Sequence, residues 1–140
     1  MPAPFSTQRM VEFGDTDAAG LAHFSTFFAW MEQAEHELLR SLGLSVMMCD
    51  DDGRLSWPRV NAACDFHSPV RFEDRVDVEV RLDRLGTSSV TYAFRFSIGD
   101  REVATGTMTS VCCRISMTEP PQAVAIPDQI AVKLAALREK

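Results

Sequence analysis

Residues Asp15-Thr16-Asp17-Ala18-Ala19-Gly20-Leu21-Ala22-His23-Phe24 place two carboxylates and an imidazole just before an apolar stretch with helical spacing. The position matters because the first N–H groups of a helix lack intrahelical partners and lie at the positive end of its dipole. Such a terminus can polarise a carbonyl and hold the oxyanion that forms when the carbonyl is attacked. A carboxylate a few residues earlier could attack that carbonyl itself, or deprotonate a water that does so. Ala18, Ala19 and Gly20 would keep the loop narrow enough for a substrate to approach. The same Asp-x-Asp pattern also suits a solvated turn that caps the helix, so composition alone leaves both readings open.

The elements that must position this loop follow from periodicity. Residues 6 to 13 read as a first strand that ends in the loop Gly14 to Gly20. From about Phe24 to Leu42 the spacing is helical: Phe27, Phe28, Met31, Ala34, Leu38, Leu39 and Leu42 share one arc, while Gln33, His36 and Arg40 share the other. Ser25 or Thr26 could supply the capping oxygen and Gly43 the stop. Such a helix is about 27 Å long at 1.5 Å per residue and needs an apolar surface to lie on.

Alternation supplies that surface. Val60, Ala62, Cys64 and Phe66 alternate with Arg59, Asn61, Ala63 and Asp65, and Val76, Val78, Val80 and Leu82 alternate with Asp77, Glu79, Arg81 and Asp83. Both read as half-buried antiparallel strands. Residues 88 to 98 repeat the pattern, Ile98-Gly99-Asp100-Arg101 reads as a hairpin turn, and residues 102 to 115 read as a last long strand with both faces covered. Pro127 to Arg138 reads as a short C-terminal helix with Pro127 in its first turn. The expectation is an α+β single domain over residues 1–140, with about five antiparallel strands against one long helix.

Composition bounds the function. The 140 residues carry 14 Lys+Arg against 20 Asp+Glu, a net charge of −6, which offers no broad positive field to a nucleic acid. The longest apolar run, Phe27 to Met31, falls far short of the ~20 residues of a membrane-spanning helix, so no membrane partner is expected. No secretion signal is visible at the N-terminus, and Cys49, Cys64, Cys112 and Cys113 form no C-x-x-C, so reduced thiols and the cytoplasm are expected.

The run VEFGDTDAAG, with His23-Phe24 and a helix containing Trp30, Glu32, Leu39 and Leu42-Gly43, resembles the signature of the 4-hydroxybenzoyl-CoA thioesterase family of hotdog proteins. The likeness is close from Val11 to Gly43 and looser to about residue 115. It implies a hotdog fold, a sheet wrapped around the long helix, paired into homodimers and often homotetramers with sites at subunit interfaces. It also implies that Asp17 is the catalytic carboxylate, as nucleophile or general base, that the backbone N–H of Phe24 polarises the thioester carbonyl, and that Asp15 is structural.

Two departures stand out. Short-chain acyl-CoA members carry a histidine seven residues after the aspartate, where this chain has Phe24; His23, one residue early, either lines the site or packs in the loop. The basic cluster that such members place near residues 84 to 89 is reduced to Arg84, so phosphate contacts come from elsewhere or the acyl carrier is a protein.

Other candidates compete. Glu35 sits at the edge of the apolar arc, where burial would suit base chemistry or an arginine-paired structural role. Asp50-Asp51-Asp52-Gly53 lacks the alternating ligands of a calcium loop and reads as a solvated turn. His36 reads as solvated and His67, beside Asp65, as an ion-paired strand end; no spacing suggests a metal, and no G-x-S-x-G is present. The expected function is hydrolysis of an aromatic or short-chain acyl-CoA thioester, with Asp17 and Phe24 at its centre, Gly20, His23 and Glu35 lining the site, and no cofactor beyond the coenzyme A of the substrate. The alternatives are a thioesterase acting on acyl carrier protein and a non-catalytic acyl-binding hotdog module; a hotdog dehydratase would need Asp and His in a different spacing.

Overall fold

The computed structural model describes residues 4–138. In chain order the elements are β1 Phe5–Met10, a 3-10 turn Phe13–Asp15, α1 Phe24–Ser41, β2 Met48–Asp50, β3 Gly53–Ser56, β4 Arg59–Phe66, β5 Arg75–Leu85, β6 Ser89–Ile98, β7 Arg101–Val111, β8 Cys113–Arg114, β9 Gln122–Ala123 and α2 Asp128–Arg138. Five strands form one antiparallel sheet in the order β1-β5-β6-β7-β4, and the four short ones a second sheet in the order β2-β3-β8-β9.

Alternation dictates what the large sheet buries. Val76, Val78 and Val80 of β5, Val90, Tyr92, Phe94 and Phe96 of β6, and Met108 of β7 are buried together with Phe27, Trp30, Met31, Ala34, Leu38 and Leu39 of α1. Each valine, leucine, phenylalanine or methionine among them contributes roughly 1.5–3 kcal/mol on leaving water. Gly106 of β7 makes room for Met31 of α1: a Cβ at residue 106 would collide with the Met31 Cε. The helix ends as the sequence predicts, with Gly43 at φ 76°, its N–H donating to Arg40 O and the Leu44 N–H to Leu39 O.

Several expectations are corrected. The first strand stops at Met10 rather than residue 13, because Asp15 turns back to accept the Glu12 N–H at 2.9 Å and winds Phe13–Asp15 into the 3-10 turn. The N-cap of α1 is His23, not Ser25 or Thr26, since the helix begins at Phe24 and leaves both hydroxyls inside its first turn. β4 buries none of its residues; it is an edge strand paired only with β7, and Val60 remains 61% exposed. The last long strand is two elements, β7 and the short β8, which crosses to the second sheet. Asp50–Gly53 is a solvated turn as expected, the one joining β2 to β3, and what the sequence did not show is that both terminal nitrogens of Arg114 grip the Asp50 carboxylate at 2.7 and 2.8 Å. Pro127 precedes α2 and caps it through its carbonyl, which accepts the N–H groups of Ile130 and Ala131. No helix among the described residues is long and apolar enough to cross a membrane.

Candidate active site

The loop between the 3-10 turn and α1 folds as a miniature hairpin. Thr16 bridges Ala22, the Asp17 N–H donates to Leu21 O at 2.7 Å, and the Gly20 N–H returns to Asp17 O at 3.0 Å. Gly20 sits at φ 80°, which a side chain rarely adopts, so its glycine serves the bend. Asp17 therefore stands at the hairpin bend. Its Oδ1 accepts the N–H groups of Ala19 at 2.8 Å and Leu21 at 3.1 Å, which fixes the carboxylate plane. Oδ2 has no hydrogen-bond partner among the described residues.

The helix start is pinned to the same loop. The carbonyl of Asp15 accepts the His23 N–H at 2.7 Å and the Thr26 hydroxyl at 2.9 Å. With its carboxylate Oδ2 on the Glu12 N–H, Asp15 shapes the turn. His23 Nδ1 accepts the Ser25 N–H at 3.2 Å and lies 2.7 Å from the Ser25 hydroxyl, while its ring rests on Phe24 with centroids 4.5 Å apart. A nitrogen that accepts a backbone N–H keeps its lone pair, so the capping imidazole carries its proton on Nε2. The Phe24 N–H has no partner among the described residues and remains an open donor at the helix terminus.

Asp17, Leu21, Ala22, His23, Phe24 and Phe27 form one wall of a cavity of about 570 Å³, and Phe66, His67, Ser68, Pro69 and Val70 form the other. The walls meet through the Ala22 N–H, which donates to Val70 O at 2.7 Å, and through the Leu21–Arg71 bridge. The structure thus brings together Asp17, Phe24 and His23. It does not bring Gly20, which shapes the loop from outside the cavity, nor Glu35.

Glu35 is 2% exposed in the middle of α1, and Arg59 of β4 clasps it with Nη2 at 2.5 Å from Oε1 and Nη1 at 2.9 Å from Oε2. The guanidinium also donates to the Ser110 hydroxyl at 2.7 Å, so the pair ties α1 to β4 and β7. Burial with a two-pronged arginine gives this carboxylate a structural tie, the second of the two roles its sequence position suggested. His36 is half-buried, with Nε2 3.7 Å from Glu35, rather than solvated. Among the described residues no group of three or more His, Cys, Asp or Glu side chains is placed to hold a metal.

The 66–70 wall is what sequence reasoning missed. His67 faces Thr105 and Glu102 of β7 rather than Asp65, and it lines the same cavity as Asp17. Nothing in the spacing links residues fifty positions apart; the single cue was the loop signal of Ser68-Pro69.

A sheet curled around one long helix, with the loop before that helix open to a cavity, is the hotdog architecture, and the class it defines is that of the hotdog thioester hydrolases. Comparison with known proteins agrees: the chain belongs to the Thioesterase superfamily, whose profile matches residues 19–105. A 1,4-dihydroxy-2-naphthoyl-CoA hydrolase of Synechococcus elongatus is 30% identical over 111 residues, covering 79% of this chain and 82% of that protein. Among solved structures, a gentisyl-coenzyme A thioesterase superposes with a TM-score of 0.80 at 27% identity, over 93% of this chain and 99% of that one. A 1,4-dihydroxy-2-naphthoyl-CoA thioesterase from Synechocystis superposes at 0.84 over 96% and 97%, and at 23% identity that likeness concerns the fold.

Proposed function

We propose that this thioester hydrolase acts on aromatic acyl-CoA substrates, with Asp17 and the Phe24 N–H as the reacting pair. One observation carries the reading: the open oxygen of Asp17 and the open N–H of Phe24 belong to residues that line one cavity. A thioester carbonyl seated at the helix terminus accepts a hydrogen bond from the Phe24 N–H at the positive end of α1, which stabilises the oxyanion as it forms. Asp17 Oδ2 then attacks the carbonyl carbon or takes a proton from a water that does; Oδ1 is too engaged to serve. The aromatic side chains of Phe24, Phe27 and Phe66 suit an aromatic acyl group, and both relatives of 27% identity or more compared above are named for aromatic acyl-CoA esters. No cofactor beyond coenzyme A itself enters the scheme.

The protein works in this reading as a homodimer or homotetramer. The β4 edge leaves Val60 61% and Phe66 49% exposed, and a second copy laid along it would cover both.

The test is thiol release from a panel of aromatic and aliphatic acyl-CoAs by the unaltered protein and by Asp17→Asn. Asparagine keeps an oxygen for the Ala19 and Leu21 N–H groups, so the loop persists while the base or nucleophile is lost. The expected fall in kcat is about 10²–10⁴-fold. Full activity in Asp17→Asn overturns the mechanism. Release from acyl carrier protein but from no acyl-CoA replaces the substrate class, and binding without release points to an acyl-binding module.

A further inference from the structure

His67 stands on the wall facing Asp17 and has no part in the scheme above. Its backbone is fixed: the His67 and Ser68 N–H groups both donate to Val103 O, at 2.9 and 3.2 Å. Arg101 braces the next two residues by donating to the Ser68 hydroxyl and to Pro69 O. One edge of the ring is fixed as well. Nε2 lies 3.2 Å from the Thr105 hydroxyl and 3.6 Å from Glu102 Oε1, and Glu102 is held in turn by the Arg95 Nε–H at 2.9 Å. Nδ1 has no hydrogen-bond partner among the described residues. An imidazole with one nitrogen facing a carboxylate and the other unengaged is oriented for proton transfer through the free nitrogen. His23 differs in its partner: its Nδ1 accepts the Ser25 N–H, whereas His67 has a carboxylate, Glu102, beside its engaged nitrogen to support an imidazolium.

Position assigns the direction of that transfer. Asp17 and Phe24 share a wall, so the two substituents of a carbonyl carbon held between them, the acyl group and the sulfur, extend away from it. Across the cavity, Phe66, Pro69 and Val70 are apolar, and His67 is the titratable side chain of that stretch. A thiolate released against such a wall loses part of its hydration, and a donor there offsets that loss.

We propose that His67 is a further catalytic residue, the proton donor to the departing sulfur. This rests on the thioesterase reading above. In the general-base form of that reaction, water adds its hydroxide to the acyl carbon and gives a proton to Asp17. The C–S bond then breaks with its electron pair going to sulfur, and sulfur takes the proton from Nδ1 of the imidazolium. Asp17 returns its proton to solvent and His67 is reprotonated from solvent, so thioester and water become acid and thiol with no other reactant.

The test uses two small thioesters of the same acyl group, one of N-acetylcysteamine and one of nitrothiophenol, neither carrying the nucleotide of coenzyme A. An alkyl thiolate is a poor leaving group that gains from a proton donor; a nitrothiophenolate leaves unaided. His67→Gln should lower kcat/KM by about 10²-fold on the alkyl ester, the lower end of the range for general acids, and by less than about fivefold on the aryl ester. Asp17→Asn should lower both alike. Glu102→Gln should repeat the His67→Gln selectivity with a smaller loss, and it serves where His67→Gln does not fold. Equal losses on both esters, or no loss on either, overturn the proposal, since a merely structural role is blind to the leaving group. Failure of the underlying reading looks different: the unaltered protein then releases thiol from neither ester.

Discussion

Replacing Glu35 with glutamine separates structure from catalysis at the one buried carboxylate of α1. Glutamine keeps the shape and an acceptor oxygen but removes the charge that Arg59 clasps at 2.5 and 2.9 Å. Breaking a buried ion pair from one side typically costs about 3–5 kcal/mol, because the other charge is left uncompensated. Here the Arg59 side chain is 24% exposed and retains Glu32 at 3.4 Å, so water and the second carboxylate recover part of that cost. The expected loss is therefore about 2 kcal/mol, below the range for a fully buried pair. At about 4 °C per kcal/mol for a chain of this size, the melting temperature should fall by about 8 °C. The double variant Glu35→Leu with Arg59→Met should recover most of the loss, since a well-packed apolar pair often matches a buried ion pair. Thermal and urea denaturation measure the stability, and thiol release well below the melting temperature measures kcat per folded molecule, which should stay within about twofold. A destabilisation below about 0.5 kcal/mol would refute the energetic argument. A kcat loss matching that of Asp17→Asn, at unchanged stability, would make Glu35 a site carboxylate and refute the structural assignment.

Three further outcomes follow from the same geometry. His23→Ala removes the acceptor for the Ser25 N–H and should cost about 1 kcal/mol, whereas His23→Asn, a better cap, should cost little; thermal denaturation distinguishes them. Gly106→Ala should destabilise by about 1–3 kcal/mol in urea titration, although alanine is normally favoured over glycine in a strand, because its Cβ would crowd the Ala63 carbonyl oxygen at 3.0 Å and collide with the end of Met31, which is fully buried and has no room to swing away. The Arg114 guanidinium holds the Asp50 carboxyl down at about 2, against an ordinary value of 3.8. A carboxyl depressed on folding stabilises the fold above its unfolded value and loses that contribution as pH falls through its folded value. The protection of amides in β2, β3 and β8 relative to their intrinsic exchange rates should therefore fall between pH 3.8 and about 2, and Arg114→Gln should abolish that fall. Protection that is unchanged across that interval would remove Asp50 as the clasp of the small sheet.

Much of the frame was legible in the chain because its determinants are local. The 3.6-residue spacing from Phe27 to Leu39 marked α1, Gly43 marked its end, and the valines of β5 marked a face that needed covering. The Asp17 loop was legible for the same reason: its bend, its glycine and its distance from the helix start all lie within ten residues. The small sheet was not, since β2, β3, β8 and β9 are two to four residues each and no periodicity survives at that length.

What the sequence determined by itself was thus the presence of a carboxylate next to a helix terminus and the elements that bracket it. Only the tertiary structure decided which neighbours those groups acquire. Glu35 became a clasp because Arg59, twenty-four residues away, is delivered to it by β4. His67 joined Asp17 because the connection after β4 is stitched to Ala22 through Val70. β4 stayed exposed although its alternation matches that of β5, because a two-residue period states which face can be buried and not whether anything lies over it. Local propensity acts over a turn or two of chain, whereas a cavity is made by segments that meet only once the sheet has closed around the helix.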